Sequence, residues 1–310
     1  MTRPPHLEAA IQYPAAKTQS PSPTVALFDS GVGGLSVWRE VVRQLPHVNT
    51  LYLADQAHVP YGPRSADEIR AFSRDITDFL LAQGADLIVV ACNTASGVAL
   101  HALRREYADV PFVGMEPAVK PAAEHTANGV VGVIATPTTF QGTLFRRLAE
   151  RFGADVRIIT QVCPGLVEAV EGGDIATPET RGLLETYLAP LLDAGIDQLV
   201  LGCTHYPFLR AFIEDIVGPG VAVIDPAPAV ARQAGRLLGE FSLTQTLSRG
   251  EREPRAPSPE HTLYTTGNPD RLLEAAHTLV GYTGPVVGLT WRDSKLQATD
   301  GSLPCVGAPR

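Results

Sequence analysis

With 310 residues, of which 45% are apolar and 19% charged, the chain has the composition of a globular protein with one large or two ordinary domains. No apolar run approaches the roughly 18 residues that a membrane-spanning helix needs, so the sequence argues against a membrane protein. The net charge of −8 argues against non-specific nucleic-acid binding, which needs a basic surface. We therefore expect neither nucleic acid nor membrane among the partners.

The cysteines indicate a reducing compartment. The chain has four, and their positions form neither a disulfide framework nor a C-x-x-C zinc spacing: Cys92, Cys163, Cys203 and Cys305. Free thiols are typical of cytoplasmic proteins, so we predict a cytoplasmic location and no metal site.

Three stretches have the composition of loose chain. Residues 1–23 contain five prolines and no apolar segment of the kind found in signal peptides, which predicts a disordered N-terminal tail. Residues 243–261 are polar and proline-rich, which predicts a flexible linker. The last residues, 293–310, are expected to form a loose C-terminal tail.

Strands and helices alternate from residue 24. Apolar runs predict strands at 25–28, 51–54, 87–91 and 111–115, with helices between them. The helix after the second strand opens with a capping box formed by Ser65 and Glu68. The scheme begins again after about residue 116, with strands predicted at 130–134, 156–160, 198–202 and 221–224. Two helices lie between the second and third of these strands, and Thr177-Pro178 caps the longer one.

The two halves repeat the same order of elements. Asp29 precedes Cys92 by 63 residues, and Thr136 precedes Cys203 by 67 residues. We therefore predict an α/β fold with two similar domains, whose parallel-type sheets are related by a pseudo-two-fold axis and whose cleft holds the active site. The first domain is expected to comprise residues 24–116 and 226–292, with the linker inside it. The second is expected to comprise residues 117–225.

Two cysteines end matching buried strands. Cys92 follows the run at 87–91 and Cys203 follows the run at 198–202, and polar residues come after each. Ligands bind beyond the carboxyl ends of strands in open α/β sheets. A structural reading remains, because cysteine is among the most buried residue types. The matched settings favour functional thiols, and a helix N-terminus should lower each thiol pKa from about 8.5.

Two further residues could assist these thiols. His205 lies two residues after Cys203 and could stabilise a thiolate or exchange a proton, although it could also be an ordinary hydrogen-bonded histidine. Asp29 ends the first strand and could act as the corresponding carboxylate for Cys92. A helix-capping or turn-forming aspartate is the alternative reading.

A glycine-rich loop after the first strand invites comparison with the dinucleotide motif G-x-G-x-x-G. Ser36 stands where the third glycine would be, while Asp55 lies near the distance expected of a ribose-binding acid. Asp29 directly before the loop would repel a pyrophosphate. The loop's N–H groups could equally hold a carboxylate.

Four motifs together resemble a known family, the cofactor-independent aspartate/glutamate racemases, and within it the glutamate racemases. They are Asp29-Ser30-Gly31-Val32-Gly33-Gly34-Leu35, Pro60-Tyr61-Gly62, Ala91-Cys92-Asn93-Thr94-Ala95 and Gly202-Cys203-Thr204-His205-Tyr206-Pro207. The resemblance covers about residues 24–240. The family's Gly-Thr-x-Gly-Thr segment is replaced by Ala135-Thr136-Pro137-Thr138-Thr139, which leaves the shape of that loop open.

The resemblance implies the site residues. Cys92 and Cys203 match the two catalytic cysteines, and Asp29, His205 and Glu171 match the residues that assist them. The substrate-binding residues that it implies are Asp29, Ser30, Pro60, Tyr61, Gly62, Asn93, Thr94, Thr139, Thr204 and His205. It further implies glutamate as substrate, no cofactor, a homodimer, and a role in supplying D-glutamate for peptidoglycan.

Racemisation explains why the thiols come in a pair. Two groups on opposite faces of Cα can remove and return a proton without moving across the substrate. Three rival functions remain: a nicotinamide-dependent enzyme, which rests on the glycine loop, a non-catalytic amino-acid-binding protein, and a racemase of another amino acid such as aspartate.

Overall fold

The computed structural model describes residues 22–152, 156–246, 258–292 and 295–299. The strands, in chain order, are β1 Thr24–Asp29, β2 Asn49–Ala54, β3 Leu87–Val90, β4 Phe112–Gly114, β5 Val130–Ala135, β6 Arg157–Val162, β7 Gln198–Gly202, β8 Ala222–Ile224, β9 His261–Thr265, β10 Val286–Arg292 and β11 Lys295–Ala298. The helices are α1 Leu35–Gln44, α2 Ala66–Ala82, α3 Asn93–Glu106, α4 Val119–His125, α5 Pro137–Gln141, α6 Thr143–Phe152, α7 Leu166–Gly172, α8 Pro178–Asp193, α9 Arg210–Val217, α10 Ala227–Thr246 and α11 Pro269–Val280, with a 3-10 turn at Tyr206–Leu209.

The strands form two sheets that share one plan. The first sheet has the order β11-β10-β9-β2-β1-β3-β4, and the second has the order β6-β5-β7-β8. All neighbouring strands are parallel except β10 and β11. The order β2-β1-β3-β4 in the first sheet corresponds strand for strand to the whole second sheet. The predicted α/β class with two similar domains is confirmed.

The strand register places the two cysteines at equivalent points. Phe28 of β1 pairs with Val90 of β3, and Ile134 of β5 pairs with Leu201 of β7. Cys92 and Cys203 each follow the second member of their pair by two residues. The internal repeat seen in the sequence is therefore a repeat of strand register, and it presents one thiol at the carboxyl end of each sheet.

Burial on both faces explains the continuous apolar strands. In β1, Val25 and Leu27 belong to one hydrophobic cluster, while Ala26 and Phe28 belong to another. Successive side chains of a strand point to opposite faces, so helices must cover both sides of the sheet. The first sheet is thus fixed from both faces, which holds the end of β1 and the loop after it in place.

Helix signals in the sequence correspond to caps in the structure. The Ser65 hydroxyl accepts from the N–H of Glu68 while the Glu68 carboxylate accepts from the N–H of Ser65, so the capping box at α2 is confirmed. Thr177 caps α8 with Pro178 at its first position, as predicted. The sequence reading missed α4, and it missed the break at Gly142 that separates α5 from α6.

Parts of the predicted loose stretches are ordered. Residues 295–298, assigned to the C-terminal tail, form β11 because they pair antiparallel with the exposed edge of β10. The predicted linker is shorter than 243–261, since α10 runs to Thr246 and β9 begins at His261. Ser22, placed in the N-terminal tail, is buried and accepts a hydrogen bond from the Asn49 side chain. Of these stretches, residues 1–21, 247–257, 293–294 and 300–310 lie outside the described residues.

Candidate active site

The carboxyl ends of β1, β3, β5 and β7 surround one cavity of about 310 Å³, a volume that includes its mouth. This is at the small end of the range for ligand pockets, so it suits one small molecule. The lining residues are Ser30, Pro60, Tyr61, Gly62, Cys92, Asn93, Thr94, Thr136, Thr139, Val167, Gly202, Cys203, Thr204 and His205. All predicted site residues are in this set except Asp29 and Glu171. These two do not line the cavity but are hydrogen-bonded to residues that do.

Three lining residues were not among the predicted site residues. Thr136 follows β5 as Ser30 follows β1, so the repeat of strand register contained the signal that could have found it. Gly202 directly precedes Cys203 and was quoted only as part of the motif. Val167 comes from α7, and its apolar side chain gave no sequence signal.

Cys92 is the N-cap residue of α3. Its sulfur accepts a hydrogen bond from the N–H of Ala95 at 3.5 Å, and its side chain is buried. Burial, followed by the negative charge of Asp29, raises the pKa of Cys92 above the usual value for a thiol, and the hydrogen bond from Ala95 only partly opposes this. The expectation of a lowered thiol pKa is therefore wrong for Cys92, because burial and Asp29 outweigh the effect of the helix N-terminus.

Cys203 has an acid–base pair beside it. The Nδ1 atom of His205 lies 3.6 Å from Cys203 Sγ, and its Nε2 atom lies 2.7 Å from Glu171 Oε1. Burial alone would lower the pKa of His205, but hydrogen bonds to Cys203 and Glu171 and the charges of those groups raise it well above its ordinary value. The pKa of Glu171 is lowered: burial opposes the shift, and the contacts with His205 outweigh burial. His205 and Glu171 therefore form a largely buried hydrogen-bonded pair, and the two pKa shifts favour the imidazolium and the carboxylate forms.

Asp29 is fully buried and joins the two halves of the site. Its carboxylate accepts from the Thr204 hydroxyl at 2.8 Å, the Ser30 hydroxyl at 3.0 Å and the N–H of Gly31 at 3.2 Å. Burial raises the pKa of Asp29, and the positive charge of His205 and these hydrogen bonds offset the effect only in part. A carboxyl group with a raised pKa is suited to exchanging a proton with a neighbouring group.

The glycine loop after β1 lies directly against side chains of the second domain. A Cβ atom at Gly31 would overlap the Glu171 carboxylate, and one at Gly33 would overlap the His205 ring. The N–H of Val32, between them, donates to Glu171 Oε1 at 2.7 Å. The glycines are required because side chains of the second domain occupy the space that a Cβ atom would need, and a loop N–H that could bind a phosphate is bonded to the Glu171 carboxylate instead. This contact argues against the dinucleotide-binding alternative.

Asn93 presents an unpaired amide to the cavity. Asn93 is only 5% exposed to solvent. Within the described part of the chain, neither its Oδ1 atom nor its Nδ2 atom has a hydrogen-bond partner. A buried polar group without a partner is costly, and a polar ligand would satisfy it. Across the cavity, the Thr94 hydroxyl lies 3.1 Å from the Thr136 hydroxyl, which lies 3.0 Å from that of Thr139. The cavity thus offers neutral hydrogen-bonding groups from both domains.

Two further observations concern other ligand classes. Among the described residues, His, Cys, Asp and Glu side chains form no group of three or more that could hold a metal ion. In the same part of the chain, no helix is both long enough and apolar enough to cross a membrane.

Comparison with known proteins identifies the class. The family model of the Asp/Glu/Hydantoin racemases matches residues 31–234, and the chain belongs to that family. It is therefore an isomerase of the racemase type. Glutamate racemase from Pseudomonas entomophila (strain L48) is 52% identical over 251 residues, which cover 81% of this chain and 91% of the relative.

Two solved structures share the fold. A glutamate racemase isoform from Bacillus anthracis superposes with a TM-score of 0.76 at 31% identity, covering 87% of this chain and 98% of the other. Glutamate racemase from Escherichia coli, solved in complex with L-glutamate and the activator UDP-MurNAc-Ala, gives a TM-score of 0.74 at 32% identity. That match covers 86% of this chain and 99% of the other.

Replacing Gly33 by alanine should separate the domains. The added Cβ would overlap the His205 ring, and overpacking of this kind costs about 1–3 kcal/mol, so the population of the open state should rise about 5- to 160-fold. Alkylation of Cys92 and Cys203, followed by peptide mass spectrometry, should be faster in proportion. Gly182→Ala is the matched control, because nothing lies within 4 Å of a Cβ built at this glycine of α8. Equal labelling rates in the Gly33 variant and wild type would contradict the close contact.

Replacing Glu171 by glutamine should lower stability in a defined pH window. The carboxylate contributes above the ordinary pKa of 4.5, and its contribution is lost as the pH falls through the lowered folded pKa. The imidazolium contributes below 6.5, and its contribution is lost as the pH rises through the raised folded pKa. Glu171→Gln should therefore lower the free energy of unfolding by about 3 kcal/mol between pH 4.5 and pH 6.5. The loss should be smaller at lower and at higher pH. Urea unfolding at a series of pH values measures this, and a cost independent of pH would contradict the ion pair.

Proposed function

We propose that this protein is a glutamate racemase that interconverts L-glutamate and D-glutamate through two thiols, without a cofactor. The observation that carries the proposal is the placement of Cys92 and Cys203 at equivalent strand ends of two domains, where both line one cavity. A cavity between two related domains can present one group to each face of a substrate carbon. A purely amino-acid-binding protein would have no use for this pair.

The proposed reaction conserves protons. With L-glutamate, the Cys203 thiolate takes the Cα proton and becomes a thiol, while the Cys92 thiol gives its proton to the opposite face and becomes a thiolate. D-glutamate reverses both transfers. The raised pKa of Cys92 is consistent with a resting thiol that is ready to donate.

The groups behind each thiol would reset it. His205 lies 3.6 Å from Cys203 Sγ and can exchange a proton with that sulfur, while Glu171 holds the imidazole in position. Asp29 has a raised pKa and bears electrostatically on Cys92, so it would take up the proton that Cys92 must lose before acting on D-glutamate. The two thiols would therefore exchange protons with different groups, Cys203 with an imidazole and Cys92 with a carboxylate.

The negative charge that develops on the substrate needs donors aimed at its α-carboxylate. Preorganised hydrogen-bond donors in a site that excludes water provide such stabilisation. The described lining includes neither lysine nor arginine, and both ring nitrogens of His205 are engaged with Cys203 and Glu171, so the donors would be neutral. The amide of Asn93, with no partner of its own, and the hydroxyl of Thr94 are the groups we assign to this role, because the Thr204 hydroxyl already donates its proton to Asp29.

The comparisons support glutamate as the substrate. The relatives are named glutamate racemases, and the E. coli enzyme was solved with L-glutamate bound. The role that we propose is the supply of D-glutamate for peptidoglycan. We place the protein in the cytoplasm because the reaction needs reduced thiols, and we propose a homodimer on the family resemblance.

The test is to incubate purified protein with L-glutamate, and separately with L-aspartate, without added cofactor. Circular dichroism monitors the loss of optical activity of each amino acid. We expect the L-glutamate signal to decay to zero, and the L-aspartate signal to persist. Decay with aspartate alone would assign the other specificity. If neither signal changes while the protein binds glutamate, the protein is a binding protein.

Replacing either thiol tests the two-base mechanism. Cys92→Ser and Cys203→Ser should each lower turnover by about 10²–10⁴-fold, the range that general acid–base groups contribute. Cys163→Ser is the matched control, because Cys163 is equally buried but lies outside the cavity lining. Turnover of the control close to wild type, with loss in the other two, is the expected pattern. Near-normal turnover of Cys92→Ser would show that one thiol suffices.

A further inference from the structure

A chain of hydrogen bonds runs from the first domain to Glu171, on the Cys203 side of the site. The N–H of Gly267 donates to the Thr265 hydroxyl at 2.9 Å, and that hydroxyl donates to Gln56 Oε1 at 2.8 Å. Gln56 Nε2 then donates to Glu171 Oε2 at 3.2 Å. Gln56 lies in the loop after β2 and Thr265 ends β9, so both belong to the domain of the first sheet, whereas Glu171 belongs to α7 of the second domain.

The direction of the bonds in this chain is set at its two ends. The N–H of Gly267 can only donate, and the Glu171 carboxylate, when ionised, can only accept. Gln56 therefore faces Glu171 with Nε2, and its Oε1 accepts the hydroxyl proton of Thr265. Gly267 also limits the position of Gln56, since a Cβ at Gly267 would lie 2.8 Å from the Gln56 Cβ. The amide is therefore held as a donor toward the carboxylate.

Glu171 uses its two oxygens differently. Oε1 accepts from the N–H of Val32 at 2.7 Å and pairs with His205 Nε2 at 2.7 Å, while Oε2 accepts from Gln56. The titratable groups that bear on His205 are Cys203, Glu171 and Asp29. A donor on Oε2 stabilises the carboxylate, and an ionised carboxylate in turn stabilises the imidazolium beside Cys203.

We infer that Gln56 is a positioning residue for the Cys203 half of the reaction: it holds Glu171 ionised and aligned from across the domain boundary. This inference rests on the proposed racemase function. Gln56 does not line the cavity and touches no group that we assign to the substrate. Its influence on Cys203 passes through Glu171 and His205.

The loss of the Gln56 bond should slow one proton transfer and not the other. A hydrogen bond to a charged group is lost in Gln56→Met, so kcat/KM should fall about tenfold. The equilibrium constant between enantiomers is unity, so kcat/KM must fall equally for L- and D-glutamate. The size of the fall in kcat/KM therefore cannot show which proton transfer is slowed. The isotope effect can show it.

The first readout is the deuterium isotope effect on kcat/KM with substrates deuterated at Cα. In Gln56→Met, transfer at Cys203 becomes more rate-limiting, so the isotope effect should rise with deuterated L-glutamate and fall with deuterated D-glutamate. Thr265→Val should shift both effects in the same senses, and combining it with Gln56→Met should add little. General damage to the fold would not move the two isotope effects in opposite senses.

The second readout does not depend on turnover. NMR titration of protein with ¹³C-labelled histidine, with the His205 signal assigned from His205→Asn, should give a lower His205 pKa in Gln56→Met than in wild type. Gln44→Met is the matched control: the Gln44 amide also donates to a carboxylate, Glu40, at 2.8 Å, but between α1 residues outside the cavity lining. The control should leave the isotope effects and the His205 titration unchanged.

The outcomes separate the two levels of inference. If wild type racemises glutamate and Gln56→Met changes neither the isotope effects nor the His205 pKa, the positioning role is overturned while the proposed function stands. If wild type does not racemise glutamate but Gln56→Met still lowers the His205 pKa, the proposed function falls and the positioning of Glu171 by Gln56 stands.

Discussion

The contact between the glycine loop and the Glu171–His205 pair is the constraint on which the site depends. Backbone of the first domain lies directly against an acid–base pair of the second, with the N–H of Val32 bonded to Glu171. Side chains at Gly31 or Gly33 would hold the domains apart. The contact shields His205 from water. Burial alone would lower the pKa of His205, but hydrogen bonds with Cys203 and Glu171 and the charges of these groups, acting at short range, raise it.

A symmetric arrangement of strands thus carries an asymmetric set of supporting groups. The register of β1 with β3 and of β5 with β7 is the same, so the two thiols are equivalent in the backbone. Behind Cys203 stands an ion pair, and behind Cys92 a buried carboxylate with a raised pKa. The hydrogen bond from Thr204 to Asp29 joins the two sets across the domain boundary. In the proposed reaction, each thiol is therefore served by a different acid–base group.

The sequence predicted the features that depend on local pattern and on the repeat. Apolar runs ending in a cysteine located β3 and β7. Of the site residues predicted from the motifs, all except Asp29 and Glu171 line the cavity. What depends on long-range contact was not predictable. The pKa of Cys92 depends on burial and on the charge of Asp29, whose effect cannot be read from neighbours in sequence. For the same reason, the link from Gln56 to Glu171, 115 positions apart, left no local signal.

The most direct test of the central claim follows the Cα proton itself. L-glutamate is incubated in D₂O with the purified protein and no cofactor, and proton NMR and optical rotation are recorded together. Two thiols acting on opposite faces predict that the D-glutamate formed carries deuterium at Cα while the remaining L-glutamate stays protonated at early times. An early loss of the Cα–H signal that is faster than the formation of D-glutamate would show exchange in the remaining L-glutamate, and it would contradict the two-base account.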